Sequence, residues 1–259
     1  MIYEADTERE GIDRLASWIN RARRITVLTG AGVSTDSGIP DFRGPEGLWT
    51  KNPQAEKMAT LQHYLADPQV RAQAWRFRLE TFEHPPRPND GHLALVELEH
   101  RGKLHTLITQ NVDGLHQEAG SSPEIVVEIH GTIREVICMS CGERRAMNEV
   151  LARVRAGEVD PPCRSCGGIL KSATISFGQG LLSDDLARAE RAARDCELLL
   201  AVGSTLTVYP IANVVPLAKD SGARIVIVNG EATGMDNIAD AVLRGPISSL
   251  LRSLVSQAS

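Results

Sequence analysis

The chain has 259 residues, of which 42% are hydrophobic and 24% are charged, and its formal net charge is −5. This length can bury one large core, or form one large domain and one small domain. The acidic balance argues against direct nucleic-acid binding, which needs a basic surface. No apolar run is long enough to cross a membrane, and residues 1–6 lack the features of a secretory signal, so we expect a cytoplasmic protein with no membrane partner.

A glycine-rich loop follows the first predicted strand. Apolar residues at helical spacing predict a helix over residues 7–20, and Ile25–Thr29 is a β-branched run typical of a buried parallel strand. The loop at residues 30–34 departs from the dehydrogenase fingerprint, because Thr35 stands where the third glycine is expected. Its N–H groups can still bind a pyrophosphate. The polar residues up to 43 indicate that the loop also handles a reacting group.

Helices and strands alternate along the rest of the chain. A helical insertion is predicted over residues 55–82, with a break at Asp67 and Pro68, and Asn89 is a predicted N-cap for the next helix. The alternation predicts an α/β fold, a Rossmann-like doubly wound parallel sheet with an inserted small domain. The further strands are predicted at residues 104–109, 125–129, 198–202, 225–228 and 240–243, with later helices at 184–194 and 211–219.

Polar clusters follow five of the predicted strands. Ligands of doubly wound sheets bind at the carboxyl ends of the strands, so these clusters predict one shared nucleotide site. The clusters are Gly30, Ala31 and Gly32; Gln110, Asn111 and Asp113; His130 and Gly131; Gly203, Ser204 and Thr205; and Asn229, Gly230 and Glu231.

Four cysteines have the spacing of a zinc site. Cys138 and Cys141 form one Cys-x-x-Cys pair, and Cys163 and Cys166 form a second pair further along the chain. Four thiolates close a tetrahedral coordination sphere, which predicts one structural Zn²⁺ in a ribbon over residues 134–172. Two disulfides or a redox pair are the alternatives, and they fit poorly with a reducing compartment. Cys196 lies apart, and we expect it to be a packed, inert thiol.

His130 is the candidate for proton transfer. It directly follows a predicted strand and should lie beside the other polar clusters, where a neutral imidazole can accept a proton near neutral pH. A buried structural histidine is the alternative. His116, in the first turn of a predicted helix, is the competing histidine, for which we expect packing or hydrogen bonding instead of catalysis.

These motifs occur together in one known family. Gly-Ala-Gly-Val-Ser, Gly-Ile-Pro-Asp-Phe-Arg, Thr-Gln-Asn-Val-Asp-Gly-Leu-His, Ile-His-Gly and the two Cys-x-x-Cys pairs follow one another in this order. The chain therefore resembles the bacterial-type sirtuins, which are NAD-dependent protein-lysine deacylases. The resemblance runs from Arg24 to about Val242. It implies that NAD is consumed, and that the products are nicotinamide, free lysine and O-acyl-ADP-ribose.

The resemblance also implies roles for individual residues. His130 would be the general base on a ribose hydroxyl, and Asn111 would position the ribose and an ordered water. Phe42 would cover the nicotinamide ring, and Arg43 would orient the loop. The full set implied to bind the cofactor is Gly30, Ala31, Gly32, Ser34, Ile39, Asp41, Phe42, Arg43, Trp49, Gln110, Asn111, Asp113, Gly203, Ser204, Thr205, Asn229, Gly230, Glu231 and Ala241, although an isolated Trp such as Trp49 is also typical of a core.

An acyl-lysine protein or peptide is the implied partner. In the family it pairs as an extended strand with a segment ending in Phe-Gly, here Ile175, Phe177 and Gly178. Two departures bear on specificity: residues 171–173 read Lys-Ser-Ala where Arg-Pro-Asp is usual, and Gln179 replaces a glutamate. Members that remove succinyl groups carry a Tyr and, three residues later, an Arg; the corresponding pair here is Trp75 and Arg78.

Protein deacetylation is thus the leading prediction. Transfer of ADP-ribose to a protein, or desuccinylase-type specificity, remains an alternative, as does a noncatalytic nucleotide-sensing or zinc-ribbon scaffold. The missing third glycine argues against a dehydrogenase. The predicted domains are a NAD-binding domain of residues 1–53, 86–133 and 173–259, and a small domain made of the helical insertion 54–85 and the zinc ribbon 134–172.

Overall fold

The computed structural model describes residues 2–3, 8–41, 47, 51 and 57–258. Seven parallel strands form one sheet, and three antiparallel strands form a second, smaller one. The strands are β1 (Ile2–Tyr3), β2 (Ile25–Thr29), β3 (Leu104–Thr109), β4 (Val126–Glu128), β5 (Gly131–Cys138), β6 (Arg144–Ala146), β7 (Leu170–Thr174), β8 (Leu198–Val202), β9 (Arg224–Asn229) and β10 (Ala241–Arg244).

The large sheet has the order β4-β3-β2-β8-β9-β10-β1. This is the doubly wound arrangement of nucleotide-binding sheets, because the chain builds outward from β2 in one direction and then returns to β8 beside it. β2 and β8 pair in parallel from Ile25 opposite Leu198 to Thr29 opposite Val202. The point where the strand order reverses therefore lies between these two central strands, and their carboxyl ends face the same edge of the sheet.

Helices cover both faces of the large sheet and build the small module. No helix of the described residues is both long and apolar enough to cross a bilayer. The helices are α1 (Glu8–Arg21), α2 (Leu61–Ala66), α3 (Pro68–Glu83), α4 (Asp90–His100), α5 (Leu115–Ala119), α6 (Met147–Arg155), α7 (Ser183–Asp195), α8 (Val214–Asp220) and α9 (Ile247–Gln257), with 3₁₀ segments at Ala31–Ser37 and Ile211–Asn213.

Local chemistry explains several helix ends. Asp67 accepts a hydrogen bond from the backbone N–H of Gln69, and Pro68 occupies the first position of α3, where its missing N–H costs nothing. Asn89 accepts from the N–H groups of Gly91 and His92, while His92 Nδ1 accepts from the N–H of Asn89. The predicted break and the predicted N-cap are therefore both confirmed.

The second sheet and helices α2, α3 and α6 form a small module. Its core includes Trp75 from α3 together with residues of β5, β7 and α6. Tyr64 is fully buried and donates its hydroxyl to the Leu170 carbonyl at 2.8 Å, and Arg71 forms an ion pair with Asp160 at 2.7 Å. The helical insertion and the ribbon thus pack together, although they are far apart in the sequence.

One strand of the large sheet and one helix packed on it were not predicted. β1 pairs with β10 through only two residues, which is too short to give a sequence pattern. α9 carries an apolar stripe that sequence analysis could have detected, because Ile247, Leu250, Leu251 and Leu254 recur at helical spacing. The helix predicted over residues 211–219 is divided into a 3₁₀ segment and α8.

Candidate functional site

A cavity of about 900 Å³ lies at the carboxyl ends of the large sheet, where the strand order reverses. It extends to the small module. The structure places nineteen of the predicted site residues on its wall: Gly30, Ala31, Gly32, Ser34, Ile39, Asp41, Gln110, Asn111, Asp113, His130, Ile175, Phe177, Gly178, Gly203, Ser204, Thr205, Asn229, Gly230 and Glu231.

Four predicted cofactor residues have a different status. Phe42, Arg43 and Trp49 lie outside the described residues. Ala241 is fully buried in the core and is not among the described residues that line the cavity. The reason is the direction of the strand, because Ala241 begins β10 and the cavity lies at its far end. Gly245, which follows β10, lines the cavity instead.

Three glycines interlock at the floor of the cavity. A Cβ on Gly30 would lie 2.7 Å from the Gly203 carbonyl oxygen, and a Cβ on Gly32 would lie 2.8 Å from Gly203 Cα. Gly203 has a φ of +63°, and a Cβ there would lie 2.4 Å from the Val33 nitrogen. Side chains are therefore excluded where the loops after β2 and β8 meet, which leaves bare backbone facing the cavity.

One nitrogen of His130 is engaged by the protein. Nδ1 lies 2.9 Å from the backbone carbonyl oxygen of Gln110. A carbonyl can only accept, so Nδ1 carries the hydrogen, and in the neutral ring Nε2 holds the free lone pair. Burial lowers the pKa of His130, although the bond to Gln110 opposes this shift. The imidazole is therefore a neutral base on the cavity wall at physiological pH.

The backbone geometry at Gly131 explains why a glycine follows His130. Its φ is +72°, and a Cβ there would lie 2.1 Å from the Ala173 carbonyl oxygen. The backbone of His130 also accepts a hydrogen bond of 2.7 Å from the Ile175 N–H. The histidine is thus fixed between the large sheet and the strand that leads to the predicted peptide segment.

Asn111, Ser34 and Asp113 form one hydrogen-bonded group. Asn111 Nδ2 donates to the Gly30 carbonyl at 3.2 Å and to Ser34 Oγ at 3.1 Å, and Ser34 Oγ donates to Asp113 Oδ2 at 2.9 Å. His92 Nε2 lies 3.4 Å from Ser34 Oγ. The amide orientation of Asn111 is set by these bonds, and no described residue hydrogen-bonds its Oδ1 atom, which stays available as an acceptor.

Gln110 connects the loops around this group. Its Nε2 donates to Ser204 Oγ at 2.9 Å, and its backbone N–H donates to the Thr29 carbonyl. At the other side of the cavity, Asn229 Nδ2 donates to the Glu231 carbonyl at 2.8 Å. The loops after β2, β3, β8 and β9 are therefore tied to one another or folded on themselves by amide side chains.

The small module contains two neighbouring cations, Arg78 and Lys171, of which Arg78 lines the cavity. Arg78 donates to Ser172 Oγ at 2.7 Å, while its Nη1 is buried and has no hydrogen-bond partner among the described residues. Its guanidinium lies over the rings of Trp75 and Tyr64. Lys171 is 1% exposed, and burial, followed by the charge of Arg78, lowers its pKa to about 7. Sequence analysis noted both residues, Arg78 as a counterpart of the family's arginine and Lys171 as a departure from the usual sequence, but it did not predict that Lys171 is buried.

The predicted peptide segment is already paired on one edge. The Phe177 N–H donates to the Ala59 carbonyl, and the Phe177 carbonyl accepts from the Leu61 N–H. The phenyl ring is 42% exposed and lines the cavity. Other lining residues that sequence analysis did not identify include Phe77 and Tyr209, exposed aromatic side chains with no periodic signal of function.

The four predicted zinc ligands come together at the tip of the ribbon. Their sulfur atoms all lie within 4.8 Å of one another, with Cys138 and Cys166 at 3.5 Å and Cys141 and Cys163 at 3.9 Å. Ligands 2.3 Å from a tetrahedral Zn²⁺ are separated by about 3.8 Å, so the cluster fits this ion. Cys196 is buried elsewhere, and burial raises the pKa of its thiol to about 11, as expected for an inert cysteine.

The same turn builds both halves of this cluster. The N–H of Gly142 donates to the Cys138 carbonyl, and the N–H of Gly167 donates to the Cys163 carbonyl. Both glycines have positive φ, at +74° and +72°. Two equivalent turns therefore present four thiols to one point. Four thiolates complete the coordination of a tetrahedral ion, so no coordination position is left for a catalytic water.

The strand order, the glycine floor and the imidazole on the cavity wall define a dinucleotide-binding α/β protein that carries a Cys₄ module. A model described as "Sir2 family" matches residues 30–210. The chain belongs to the Sir2 family.

Its relatives come from bacteria and archaea. The chain is 48% identical over 231 residues to NAD-dependent protein deacetylase 2 of Streptomyces coelicolor, covering 89% of this chain and 96% of that protein. It is 43% identical over 249 residues to the NAD-dependent protein deacetylase of Sulfolobus acidocaldarius, covering 95% of each.

Solved structures of the same family are also similar. One, described under "Structural Basis for the Mechanism and Regulation of Sir2 Enzymes", has a TM-score of 0.87 and 36% identity, and the match covers 96% of this chain and 98% of that one. Another, a Sir2 enzyme bound to a propionylated peptide, has a TM-score of 0.83 and 29% identity, with coverage of 96% and 99%.

Proposed function

We propose that this protein is an NAD-dependent protein-lysine deacetylase. The observation that carries the proposal is the fixed tautomer of His130, whose Nδ1 is held by the Gln110 carbonyl while Nε2 is left as a base on the cavity wall. A protein that only bound a dinucleotide would have no need of a base at this point. Relatives named as NAD-dependent protein deacetylases, at 41–48% identity, support the same activity.

The residues present fit NAD. The bare backbone at Gly30, Ala31 and Gly32 suits the pyrophosphate, and Asn229 and Glu231 at the end of β9 suit the adenosine half. Ile39 and Asp41 are the described candidates for the nicotinamide end. When bound, NAD supplies an electrophilic ribose carbon, which the acyl oxygen of acetyl-lysine attacks as nicotinamide leaves.

His130 and Asn111 perform the protein's part of the chemistry. Nε2 of His130 accepts a proton from a ribose hydroxyl, and the hydrogen bond from Nδ1 to Gln110 keeps the ring oriented as it becomes charged. Asn111, whose amide is fixed by Gly30 and Ser34, presents Oδ1 toward the ribose. Enclosure by two walls limits access of bulk water, so that the acetyl group is passed to ADP-ribose and free lysine is released.

The substrate is an acetyl-lysine protein or peptide. Its extended chain lies along residues 175–178, where the Phe177 ring faces the cavity beside the entering lysine. Zn²⁺ held by the four cysteines maintains the ribbon and takes no part in the reaction. We also infer a cytoplasmic location and no direct nucleic-acid binding, which a four-cysteine metal cluster and the net charge of −5 support.

The test is an assay with an acetyl-lysine peptide and NAD that follows nicotinamide and O-acetyl-ADP-ribose. We expect His130→Ala to lower kcat by about 10²- to 10⁴-fold, the usual contribution of a general base. His100→Ala, an exposed histidine at the end of α4, is the matched control and should keep full activity. Nicotinamide release with the acetyl group left on the peptide would contradict deacetylation and favour ADP-ribosyl transfer.

Acyl groups that end in a carboxylate are a second candidate class. The observation in their favour is Arg78, which lines the cavity and has one buried nitrogen without a hydrogen-bond partner among the described residues. A carboxylate there would satisfy that nitrogen. Arg78→Met should then lower turnover of a succinyl-lysine peptide while turnover of the acetyl-lysine peptide is retained. Absence of succinyl turnover in the wild type would remove this candidate.

A further inference from the structure

His116 is a buried histidine that the proposed mechanism does not use. It lies in the first turn of α5 and is 1% exposed. Its ring packs beside that of His92, with the ring centroids 4.9 Å apart. Burial, and next the neighbouring His92, lower the pKa of His116 to about 3, so the ring is neutral at physiological pH.

The hydrogen bonds around His116 fix its tautomer. Thr29 Oγ1 donates its single hydrogen to Thr109 Oγ1 at 2.9 Å. Thr29 Oγ1 also lies 3.0 Å from His116 Nε2, and it has no second hydrogen to give. Nε2 of His116 must therefore donate to Thr29, which leaves the Nδ1 atom unprotonated.

This chain of hydrogen bonds ends on Asn111. Thr109 Oγ1 accepts a hydrogen bond of 3.1 Å from the Asn111 backbone N–H. The bond sets the direction of the backbone at the residue whose amide faces the cavity, directly after β3 ends. His116, Thr29 and Thr109 thus form a connected path from the interior of the large domain to the ribose side of the proposed site.

Stability alone does not account for the histidine. Its Nδ1 atom is buried and has no hydrogen-bond partner within the described part of the chain. An unsatisfied buried acceptor is unfavourable, and an apolar side chain of similar volume would avoid it. The unpaired Nδ1 atom therefore points to a contribution to function beyond stability.

We infer that His116 is a positioning residue for Asn111 and acts through the hydroxyl groups of Thr29 and Thr109. The inference rests on the proposed function, because it assumes that Asn111 contacts the ribose. His116 itself touches neither substrate nor the reacting atoms. Its hydrogen bond orders the threonine pair, and the pair holds the Asn111 backbone in the orientation that the side chain needs.

The experiment compares four variants in the deacetylation assay, with rates normalised to folded protein. His116→Leu removes the donor, and His116→Gln keeps an N–H close to the position of Nε2. Thr29→Val removes the hydroxyl of the path. Thr26→Val is its matched control, because Thr26 lies on the same strand, is equally buried and donates to the Ala192 carbonyl instead.

We expect His116→Leu and Thr29→Val to lower kcat by about 10- to 100-fold, the effect of a small misplacement at a reacting site. KM for the peptide should stay within about twofold, because the peptide segment lies on another wall of the cavity. His116→Gln should recover most of the lost kcat. His116→Leu should keep its Tm within about 4 °C of the wild type, a range that corresponds to about 1–2 kcal/mol in a chain of this size.

The inference would be overturned if His116→Leu kept full kcat, if His116→Gln were as impaired as His116→Leu, or if Thr26→Val lost as much kcat as Thr29→Val. The last result would indicate general loosening of the sheet. Wild-type turnover and its loss in His130→Ala test the proposed function separately. An active wild type with unaffected His116 variants therefore removes only this inference, whereas an inactive wild type removes both.

Discussion

The two walls of the cavity are stabilised in different ways. The sheet wall rests on two apolar clusters of 28 and 20 buried residues, whereas the small module has a cluster of eight among the described residues. On the sheet wall, glycine backbones interlock and amide side chains are held by hydrogen bonds. The module wall relies on four cysteines and a few polar contacts between distant segments. The sheet wall is therefore held by its own apolar core, and we expect the module wall to depend on the metal site.

Removing zinc should have the largest difference in effect between the two walls. Structural Zn²⁺ contributes on the order of 10 kcal/mol to small modules that bind it with four cysteines. We expect chelation, or Cys163→Ser, to unfold the ribbon and abolish deacetylation while the large sheet stays folded. Zinc content, circular dichroism and turnover measure this effect. Cys196→Ser is the control and should keep its zinc; full activity in the chelated protein would refute the structural role of the metal.

Gly203→Ala tests the sheet wall. The new Cβ would meet the Val33 nitrogen at 2.4 Å at a positive φ, so we expect a loss of about 3 kcal/mol in unfolding free energy and much weaker NAD binding. Gly222→Ala is the matched control, since Gly222 also has a positive φ, at +95°, but has open space around it. Denaturant unfolding and calorimetric NAD titration give the two quantities. Equal effects in both variants would show that the interlock has no special role.

A smaller change tests whether the helical insertion and the ribbon are one folding unit, as the predicted domain division requires. Tyr64→Phe removes the 2.8 Å hydrogen bond to the Leu170 carbonyl from a fully buried position, and should cost about 1 kcal/mol. The loss should appear in the transition of the small module and leave that of the large sheet unchanged. A shift confined to the large sheet would contradict the division.

The pH dependence of activity gives the smallest expected effect. Burial lowers the pKa of His130 below its ordinary value of 6.5, so the base stays neutral to a lower pH than an exposed histidine would. The kcat/KM should be constant near neutral pH and fall as the pH drops through this lowered pKa. A decline that begins above pH 6.5 would contradict a base whose charge is disfavoured by burial.

The sequence by itself determined the local features of this protein. β-branched runs predicted the central strands, Asn89 predicted a helix start, and the cysteine spacing predicted the metal cluster. The first two signals lie within a few residues, and the third consists of two local Cys-x-x-Cys pairs. The positions of polar residues after successive strands also predicted that these residues lie close together, because parallel strands end at a common edge of the sheet. Thirteen of the nineteen predicted residues on the cavity wall follow strands in this way, and the other six were predicted only from the family resemblance.

Only the tertiary structure decided how those residues are held. The tautomer of His130 depends on a carbonyl twenty residues away, and the path from His116 to Asn111 crosses two strands. Ala241 is buried at the start of β10 and is not among the described residues that line the cavity, a position that depends on the strand's direction within the sheet. Lys171 and Arg78 became neighbours through packing of the ribbon on the helical insertion. Such contacts join segments distant in the chain, and no local pattern of residues encodes them.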